Sequence, residues 1–239
     1  MIKIENLNKH FAKHKVLNDI NLQFNAGECV ALIGPNGSGK TTLIKSILAL
    51  VTIEKGEIHV QNESIQNQSA YRSNIGYMPQ INRFPEHMSV HQLFNMMKSI
   101  RSEVTDYDLS LYEAFDIESM GKKKLGILSG GMRQKVSAAL AFLFKPEILI
   151  LDEPTAGLDP VSNEILKQKL KESIEKENKL VLITSHILND LDDIADRVVY
   201  LMDGSLYFDK QMRALKEETS ENRLNKIIAS ILNTENQYV

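Results

Sequence analysis

The first quarter of the chain has the alternating pattern of half-buried β-strands. Ile2 and Ile4 alternate with charged residues, and Ile20, Leu22 and Phe24 alternate with polar ones. Successive side chains of a strand point to opposite faces, so an apolar residue at every second position gives one buried and one exposed face. The pattern therefore predicts two half-buried antiparallel strands at the start of the chain.

Further along, short apolar runs replace this alternation. Residues 29–33 are apolar throughout, which is typical of a strand that is buried on both faces. A glycine-rich loop follows, and then a predicted helix over residues 40–50. Residues 56–60 and 74–77 are predicted to form two more short strands.

The pattern changes to helical spacing after about residue 80. Val90, Leu93, Phe94 and Met97 recur at intervals of three and four residues, which places them on one face of a helix. No strand is predicted in this segment, which extends to about residue 145. The sequence therefore predicts a mainly helical segment in the middle of the chain.

Two further buried strands are predicted at residues 148–151 and 180–183. Each is followed by an amphipathic helical pattern. A repeated strand–helix order is typical of a parallel sheet with helices on its faces. The sequence therefore predicts an α/β fold.

These elements divide the chain into a core, an insertion and a tail. The predicted α/β core comprises residues 1–79 and 146–210, and the helical segment of residues 80–145 is inserted into it. Residues 211–239 are predominantly polar, with a short helix predicted over residues 223–232. We expect this tail to be a surface appendage, and a docking element is the alternative.

Composition narrows the class of protein. Of 239 residues, 43% are hydrophobic and 25% are charged, which is typical of a globular protein and excludes disorder for most of the chain. The formal net charge of −3 gives no global reason to bind nucleic acid. The single cysteine, Cys29, excludes a disulfide framework and fits a reducing compartment.

No segment is predicted to cross a membrane. The longest apolar run, residues 138–144, is far shorter than the ~20 residues that a transmembrane helix needs. The first residues lack the apolar core of a signal peptide. We therefore expect a cytoplasmic protein, so that any work at a membrane would need a separate subunit with spanning helices.

The strongest chemical signal is the glycine-rich loop between the predicted strand and helix. Residues 34–42 fit the phosphate-binding pattern G-x-x-x-x-G-K-[ST]. Glycines let the backbone wrap round a phosphate, and the N–H groups at the helix start attract the anion. A glycine-rich turn with a chance Lys-Thr pair is the alternative. The predicted nucleotide-binding residues are Gly34, Asn36, Gly37, Ser38, Gly39, Lys40, Thr41 and Thr42.

Three side chains of this loop have distinct predicted roles. Lys40 is expected to reach the β and γ phosphates, and the Thr41 hydroxyl is expected to ligate Mg²⁺. Thr42 adds a further phosphate contact. The loop alone predicts nucleotide binding and does not specify the reaction.

Two carboxylates follow the strand predicted at residues 148–151. Asp152 and Glu153 stand at its carboxyl end, which is where ligands bind in α/β sheets. Asp152 is expected to hold Mg²⁺, directly or through water. Glu153 is expected to orient or deprotonate an attacking water. An acidic turn that ends a core strand is the alternative, and the nearby phosphate loop disfavours it.

A seven-residue run near the end of the helical segment resembles a family signature. Residues 128–134, Leu-Ser-Gly-Gly-Met-Arg-Gln, are similar to the signature of ATP-binding cassette (ABC) ATPases. The family's other motifs are matched by Phe11 at the adenine-stacking position, where tyrosine is commoner, Gln80 in the Q-loop, Asp159 in the D-loop and His186 at the switch position. On these motifs the chain is identified as a member of this family.

The resemblance implies a fold and a set of ligands. The implied fold is a P-loop NTPase core of ABC type within residues 1–210, with a mixed sheet, an N-terminal antiparallel β subdomain and an inserted helical subdomain. The implied cofactors are ATP and Mg²⁺. Gln80 and Asp152 would join Thr41 at the metal, and His186 would contact the γ-phosphate.

The resemblance also implies a head-to-tail dimer with two ATP molecules at its interface. The signature would contact the γ-phosphate held by the other subunit, and Asp159 would lie across the dimer contact. Met132 replaces the family's glutamine. A homodimer is expected, and a heterodimer is the alternative. The signature residues that would contact phosphate are Ser129, Gly130 and Gly131.

The best-matched members of the family are transporter subunits. A separate integral membrane permease would bind near Gln80–Val90, with Phe84 and Met88 as candidates for an apolar floor, and would hold the chain at the inner face of the cell membrane. Residues 77–85 and the Met-Arg-Gln ending of the signature resemble NosF-type ATPases, which belong to the system that assembles the copper sites of nitrous oxide reductase. A periplasmic copper-assembly protein is therefore an expected partner.

Three other functions stay open at this point. The first is an exporter ATPase for another cargo. The second is a soluble cassette protein acting on a ribosome or DNA, which the single cassette and the short insertion disfavour. The third is a binding module that holds ATP without turnover, which the presence of Glu153 and His186 disfavours.

Overall fold

The structure, a computed structural model, describes residues 1–236 and contains two β-sheets. Its strands are β1 (Ile2–Phe11), β2 (His14–Phe24), β3 (Cys29–Ile33), β4 (Lys55–Val60), β5 (Glu63–Ser64), β6 (Ile75–Met78), β7 (Ile148–Asp152), β8 (Leu180–Thr184), β9 (Arg197–Met202) and β10 (Ser205–Gln211). Its α-helices are α1 (Lys40–Ile47), α2 (Val90–Ile100), α3 (Ser110–Ala114), α4 (Gly130–Phe142), α5 (Pro160–Glu175), α6 (Met212–Thr219) and α7 (Leu224–Asn236).

The N-terminal sheet is antiparallel, as the alternating pattern predicted. Its strand order is β2-β1-β4-β5, and Ile4 pairs with Leu22 on one side and with Ile58 on the other. All three side chains are buried in one hydrophobic cluster, which also contains Leu43 and Ile44 of α1. The half-buried strands thus pack their apolar face against the helix that follows the glycine-rich loop.

The second sheet is mixed, with the strand order β10-β9-β3-β8-β7-β6. Neighbouring strands from β9 to β6 are parallel, and only β10 pairs antiparallel with its neighbour β9. The mixed sheet and the antiparallel N-terminal sheet confirm the predicted fold class. Strands β9 and β10 were not predicted. Every residue of the edge strand β10 is at least partly exposed and gives no clear apolar pattern, whereas β9 has a buried run, residues 198–201, that the sequence analysis missed.

Strand β3 lies at the centre of the mixed sheet and is buried on both faces. Ala31 and Ile33 belong to the cluster on one face, and Val30 and Leu32 belong to the cluster on the other. Burial raises the pKa of the Cys29 thiol far above its usual range. The only cysteine of the chain is therefore an inert core residue.

The regular elements between β6 and β7 are helical, as the spacing predicted. Helix α2 begins with a capping box, in which Ser89 Oγ accepts a hydrogen bond from the Gln92 N–H (3.2 Å) and Gln92 Oε1 accepts one from the Ser89 N–H (2.8 Å). The exact division into subdomains stays a prediction. Neither these helices nor the others within residues 1–236 are long and apolar enough to cross a lipid bilayer.

The C-terminal helices are not the surface appendage that the polar composition predicted. They bury apolar residues in the cluster that also contains one face of strands β3, β7 and β8. The Leu224 N–H donates a hydrogen bond to Asp192 Oδ1 (2.6 Å) at the start of α7. The expectation was wrong because an average over a polar segment hides two short apolar faces. The buried residues of α6 and α7 are Met212, Leu215, Leu224, Ile227 and Ile228.

The burial of α7 predicts a measurable contribution to stability. We expect Ile227→Ala to lower the free energy of unfolding by about 2–5 kcal/mol, because it removes a fully buried side chain and leaves a cavity. Urea unfolding followed by circular dichroism measures the change. The exposed neighbour Lys226 provides the control, since Lys226→Ala is expected to change stability by less than about 0.5 kcal/mol. Equal effects of the two substitutions would mean that α7 does not contribute to the core.

Candidate active site

The glycine-rich loop connects β3 to α1 and has the backbone conformation that only glycine adopts readily. Gly34 has a φ of 145° and Gly39 a φ of 101°. A Cβ atom at Gly34 would lie 2.0 Å from the Leu201 carbonyl oxygen, and one at Gly39 would lie 2.7 Å from the Val16 carbonyl oxygen. Any larger residue at either position would therefore displace the loop from the sheet.

Lys40 is the first residue of α1, and its side chain folds back over the loop. Its Nζ donates hydrogen bonds to the carbonyl oxygens of Gly34 (2.7 Å) and Pro35 (3.0 Å). Partial burial lowers the pKa of the Lys40 ammonium, and the nearby carboxylates of Asp152 and Glu153 oppose this shift. The cation thus lies between the loop and the two carboxylates.

Asp152 and Glu153 follow one another at the carboxyl end of β7, and both are contacted by Thr184 at the end of β8. Thr184 Oγ1 donates a hydrogen bond to Asp152 Oδ1 (2.6 Å) and accepts one from the Glu153 N–H (3.0 Å). Glu153 has a φ of 55°, in the left-handed region, which costs a non-glycine residue about 1–3 kcal/mol. Its backbone conformation is therefore held by its surroundings.

The carboxylate of Glu153 brings together two residues that are distant in sequence. Gln80 Nε2 donates a hydrogen bond to Glu153 Oε1 (2.7 Å), and His186 Nε2 lies 2.8 Å from the same oxygen. The side chain of Glu153 is 17% exposed. Both contacts fall on Oε1, so Oε2 keeps its capacity to accept a proton.

A cavity of about 160 Å³ joins these groups to the glycine-rich loop. Oxygen atoms of Thr41, Gln80 and Asp152 are the ligand type that Mg²⁺ prefers, and a magnesium ion in such sites also uses substrate phosphates. Ser38 Oγ is buried and has no hydrogen-bond partner within residues 1–236, so a phosphate oxygen would satisfy it. The residues present thus fit a magnesium nucleotide. The lining comprises Val16, Asn36, Gly37, Ser38, Gly39, Lys40, Thr41, Thr42, Gln80, Asp152, Glu153 and His186.

The predicted signature residues do not line this cavity. Ser129 caps α4, with Oγ accepting a hydrogen bond from the Met132 N–H (3.2 Å), and it is exposed together with Gly130. A Cβ at Gly131 would lie 2.7 Å from the Gly157 carbonyl oxygen, whereas one at Gly130 would meet nothing within 4 Å. The exposed helix start leaves room for a ligand brought by another molecule.

Phe11 and Asp159 also lie outside the cavity. Phe11 ends strand β1 and is 49% exposed, with Lys9 Nζ 5.1 Å from the centre of its ring. Asp159 caps α5 by accepting a hydrogen bond from the Ser162 N–H (2.9 Å), and it pairs with Lys135 (2.8 Å). The Lys135 contact, followed by the Ser162 bonds, lowers the pKa of Asp159 well below its usual range. The predicted roles of Phe11 and Asp159 towards ATP and a second subunit stay predictions.

Four residues with contacts at the site were missed by the sequence analysis. Val16 lines the cavity, and Thr184 contacts the carboxylate of Asp152 and the main-chain N–H of Glu153. Gln134 and Asn82 form a hydrogen-bonded pair behind Glu153. One signal was available for Gln134, because it is a polar residue that lies next to the apolar face of a predicted helix. The others have no signal in a single sequence, because their contacts join distant segments.

Sequence comparisons agree with this site. A family model described as ABC transporter matches residues 17–156, more than half of the chain. The ABC transporter ATP-binding protein YtrB of Bacillus subtilis is 33% identical over 220 residues, which are 91% of this chain and 74% of YtrB. The glutamine transport ATP-binding protein GlnQ of Geobacillus stearothermophilus is 32% identical over 244 residues, which are 98% of this chain and 100% of GlnQ.

The fold also matches solved ABC cassettes. The dimeric structure of MJ0796, a bacterial ABC transporter cassette, superposes with a TM-score of 0.79 at 26% identity over 89% of this chain and 99% of MJ0796. MJ0796 in a post-hydrolysis state with ADP and phosphate gives the same TM-score. With a phosphate loop, paired carboxylates and a signature helix in one such fold, the chain belongs to the ABC transporter family, as an ATP-binding subunit with ATPase activity.

Proposed function

We propose that two copies of this chain bind two ATP molecules between them with Mg²⁺ and couple ATP hydrolysis to a separate membrane permease. One observation carries this proposal. Gln80 and His186 both contact one carboxylate oxygen of Glu153, beside the phosphate loop. A carboxylate held in this way, whose second oxygen has no hydrogen-bond donor within residues 1–236, is suited to accept a proton from an attacking water.

The residues that line the cavity have different roles in ATP hydrolysis. Lys40 and the N–H groups of residues 36–42 bind the phosphates. Thr41, Gln80 and Asp152 would hold Mg²⁺, which would supply neutralisation of the phosphate charge. Glu153 accepts a proton from water as the water oxygen bonds to the γ-phosphorus and the bond to ADP breaks. His186 contacts the Glu153 carboxylate and lines the cavity, where it would contact the γ-phosphate.

A second copy completes each site in this proposal. The N-terminus of α4 is exposed at Ser129 and Gly130 and faces no group of its own cavity. Helix N-termini with free N–H groups attract phosphates. Two copies arranged head to tail would place this terminus against the nucleotide of the partner. A homodimer is the simplest arrangement, and a heterodimer is the alternative.

The proposed permease site is a groove of about 280 Å³ between α2, α4 and the loop after Gln80. The groove is lined by the apolar side chains of Phe84, Leu93 and Met97, and also by Arg83. Ile81, next to the groove, is 64% exposed. Met88 is not part of this lining and packs against the core. A groove with an apolar floor beside an exposed apolar side chain fits a short helix of a membrane subunit.

The narrower NosF-like role, in copper-site assembly with a periplasmic partner, rests only on the similarity of residues 77–85 and of the signature ending. YtrB and GlnQ do not carry that role in their names. Within residues 1–236, no group of three or more His, Cys, Asp or Glu side chains is arranged to hold a metal ion.

A groove variant tests the transporter proposal. We expect Phe84→Asp to abolish copurification of a multi-helix membrane protein from detergent-solubilised native membranes, because it places a charge in the apolar floor, while ATP binding is retained. The control is Leu50→Asp, since Leu50 is 58% exposed and lies outside the groove. Pull-down followed by mass spectrometry measures the partner.

The identity of the captured partners separates the alternatives. A membrane protein retained by wild type and by Leu50→Asp supports the permease, and a copper-assembly protein beside it supports the NosF-like role. Ribosomal or DNA-bound proteins without a membrane subunit would overturn the transporter proposal. The nucleotide chemistry of the cavity would stand in that case.

A further inference from the structure

The main-chain carbonyl oxygen of Glu153 accepts a hydrogen bond from a buried side-chain amide. Gln134, in the second turn of α4, is 5% exposed. Its Nε2 donates hydrogen bonds to the carbonyl oxygens of Glu153 (2.9 Å) and Pro154 (3.0 Å). These are backbone acceptors of the segment that follows β7, so helix α4 is tied directly to the proposed catalytic residue.

The other end of the same amide is tied to the loop after Gln80. Gln134 Oε1 accepts a hydrogen bond from Asn82 Nδ2 (2.6 Å). Because carbonyl oxygens only accept hydrogen bonds, the amide nitrogen of Gln134 must face Glu153 and Pro154, and its oxygen must face Asn82. The orientation of the amide is therefore fixed by its partners on both sides.

Two residues of the loop 80–82 thus interact with Glu153, one directly and one through Gln134. Gln80 contacts the carboxylate, and Asn82 reaches the main chain through Gln134. Glu153 needs such support, since its left-handed backbone is unfavourable for a residue with a side chain. Without the amide, two carbonyl oxygens would lose their donor and the peptide would be free to turn.

We infer that Gln134 is a positioning residue for ATP hydrolysis, which fixes the main chain of Glu153 in the orientation that places its carboxylate on Gln80 and His186. Asn82 sets the orientation of the Gln134 amide. This inference rests on the proposed role of Glu153 as the proton acceptor. A shift of the carboxylate by about 1 Å would reduce turnover by up to roughly 100-fold without removing any phosphate contact.

The chain contains a matched amide pair away from the site. Asn74 Nδ2 donates a hydrogen bond to Gln61 Oε1 (2.7 Å), with the same donor, acceptor and residue types as the Asn82–Gln134 bond. Neither Gln61 nor Asn74 lines the nucleotide cavity. Gln61→Met therefore controls for the loss of a glutamine amide that bonds an asparagine.

The test compares turnover with nucleotide affinity in the full-length protein. We expect Gln134→Met, which keeps the side-chain length, to lower kcat by roughly 10–100-fold and to leave the Kd for ATP within about twofold. Gln61→Met should change neither. Phosphate release gives kcat, binding of a fluorescent ATP analogue with Mg²⁺ gives Kd, and thermal unfolding shows that each variant is folded.

A second variant keeps the inference testable should Gln134→Met not fold. Asn82→Ala, in a partly exposed loop, is expected by itself to lower kcat by several-fold and to leave the Kd for ATP within about twofold. Where Gln134→Met does fold, combining the two substitutions should have no further effect, because both act through one amide. If the two substitutions lower kcat independently, so that their effects multiply, Asn82 does not act through the Gln134 amide and the inference is wrong on this point. A fall in ATP affinity equal to the fall in kcat would also overturn the inference, since it would indicate general damage to the site.

A parallel Glu153→Gln measurement separates this inference from the proposed function. If Glu153→Gln abolishes turnover and Gln134→Met leaves kcat unchanged, the positioning role fails and the role of Glu153 stands. If Glu153→Gln hydrolyses ATP at a near-normal rate, the proposed role of Glu153 fails, and the inference fails with it. Loss of turnover in both variants with normal ATP affinity supports the positioning role.

Discussion

Glu153→Gln is expected to lower kcat for ATP hydrolysis by about 10²–10⁴-fold while ATP still binds. The reason lies in how the carboxylate is held. Gln80 and His186 both contact Oε1, and the amide oxygen of a glutamine accepts the same two contacts. The change therefore falls on the free Oε2, which becomes an NH₂ group that accepts no proton. Measuring phosphate release under saturating ATP and Mg²⁺ tests this prediction.

A second readout for the same variant is its state of association. If two copies close over two ATP molecules, slow hydrolysis should make the ATP-bound dimer persist in size-exclusion chromatography. Glu175→Gln is the control, since Glu175 is exposed on α5 and carries the same chemical change. Phosphate release at a normal rate from Glu153→Gln would remove Glu153 from the chemistry.

Lys40→Ala is expected to weaken ATP binding by roughly 10- to 150-fold, from the ~1.5–3 kcal/mol of a hydrogen bond to a charged group. The ammonium lies over the loop, bonded to the carbonyl oxygens of Gly34 and Pro35. Among the residues that line the cavity, Lys40 carries the ammonium group. Its loss removes the phosphate contact and releases the loop. Equilibrium titration with a fluorescent ATP analogue in the presence of Mg²⁺ measures the effect.

The same helix provides the control for Lys40. Lys45 lies on α1 five residues further along, and its side chain is exposed. Lys45→Ala removes one positive charge at a similar place in the fold and is expected to leave ATP affinity within about twofold. Unchanged affinity in Lys40→Ala would contradict the assignment of the loop as the phosphate site.

The phosphate loop could be predicted because its information is local. Residues 34–42 follow an apolar run and precede a helical pattern, and the structure has β3, loop and α1 in that order. In such a unit the positions of Lys40 and Thr41 are set by neighbours within a few residues. Asp152 and Glu153 could be predicted for the same reason, since the end of a buried strand is visible in the sequence.

The meeting of Gln80, Glu153 and His186 could be expected from the family resemblance, whereas the spacing of these residues along the chain does not specify it. Gln80 and Glu153 are 73 residues apart in sequence, and a hydrogen bond between them depends on how β6 and β7 pair. The Asn82–Gln134 bond depends on the packing of α4 against β6 and was not predicted. A pattern of apolar positions identifies the buried face of a helix or strand. It does not specify which polar residue of another element contacts that helix or strand.

For the C-terminal helices, the polar composition of the segment led to a wrong prediction of a surface appendage. The segment of residues 211–239 is predominantly polar, yet Leu224 and Ile227 complete a core that begins at β3. Burial is decided by the few side chains that face inward, and composition counts all of them equally. Only the contact with the remainder of the domain distinguishes such a helix from an appendage.

For this protein, the sequence by itself determined the α/β fold class, the phosphate loop, the paired carboxylates and the family, because each depends on residues that are close together in the chain. The tertiary structure alone decided which oxygen of Glu153 is occupied, that Gln134 and Asn82 support its backbone, and that α6 and α7 belong to the core. These features are contacts between segments that are distant in sequence. Their geometry is set by the pairing of strands and the packing of helices, which no local pattern specifies.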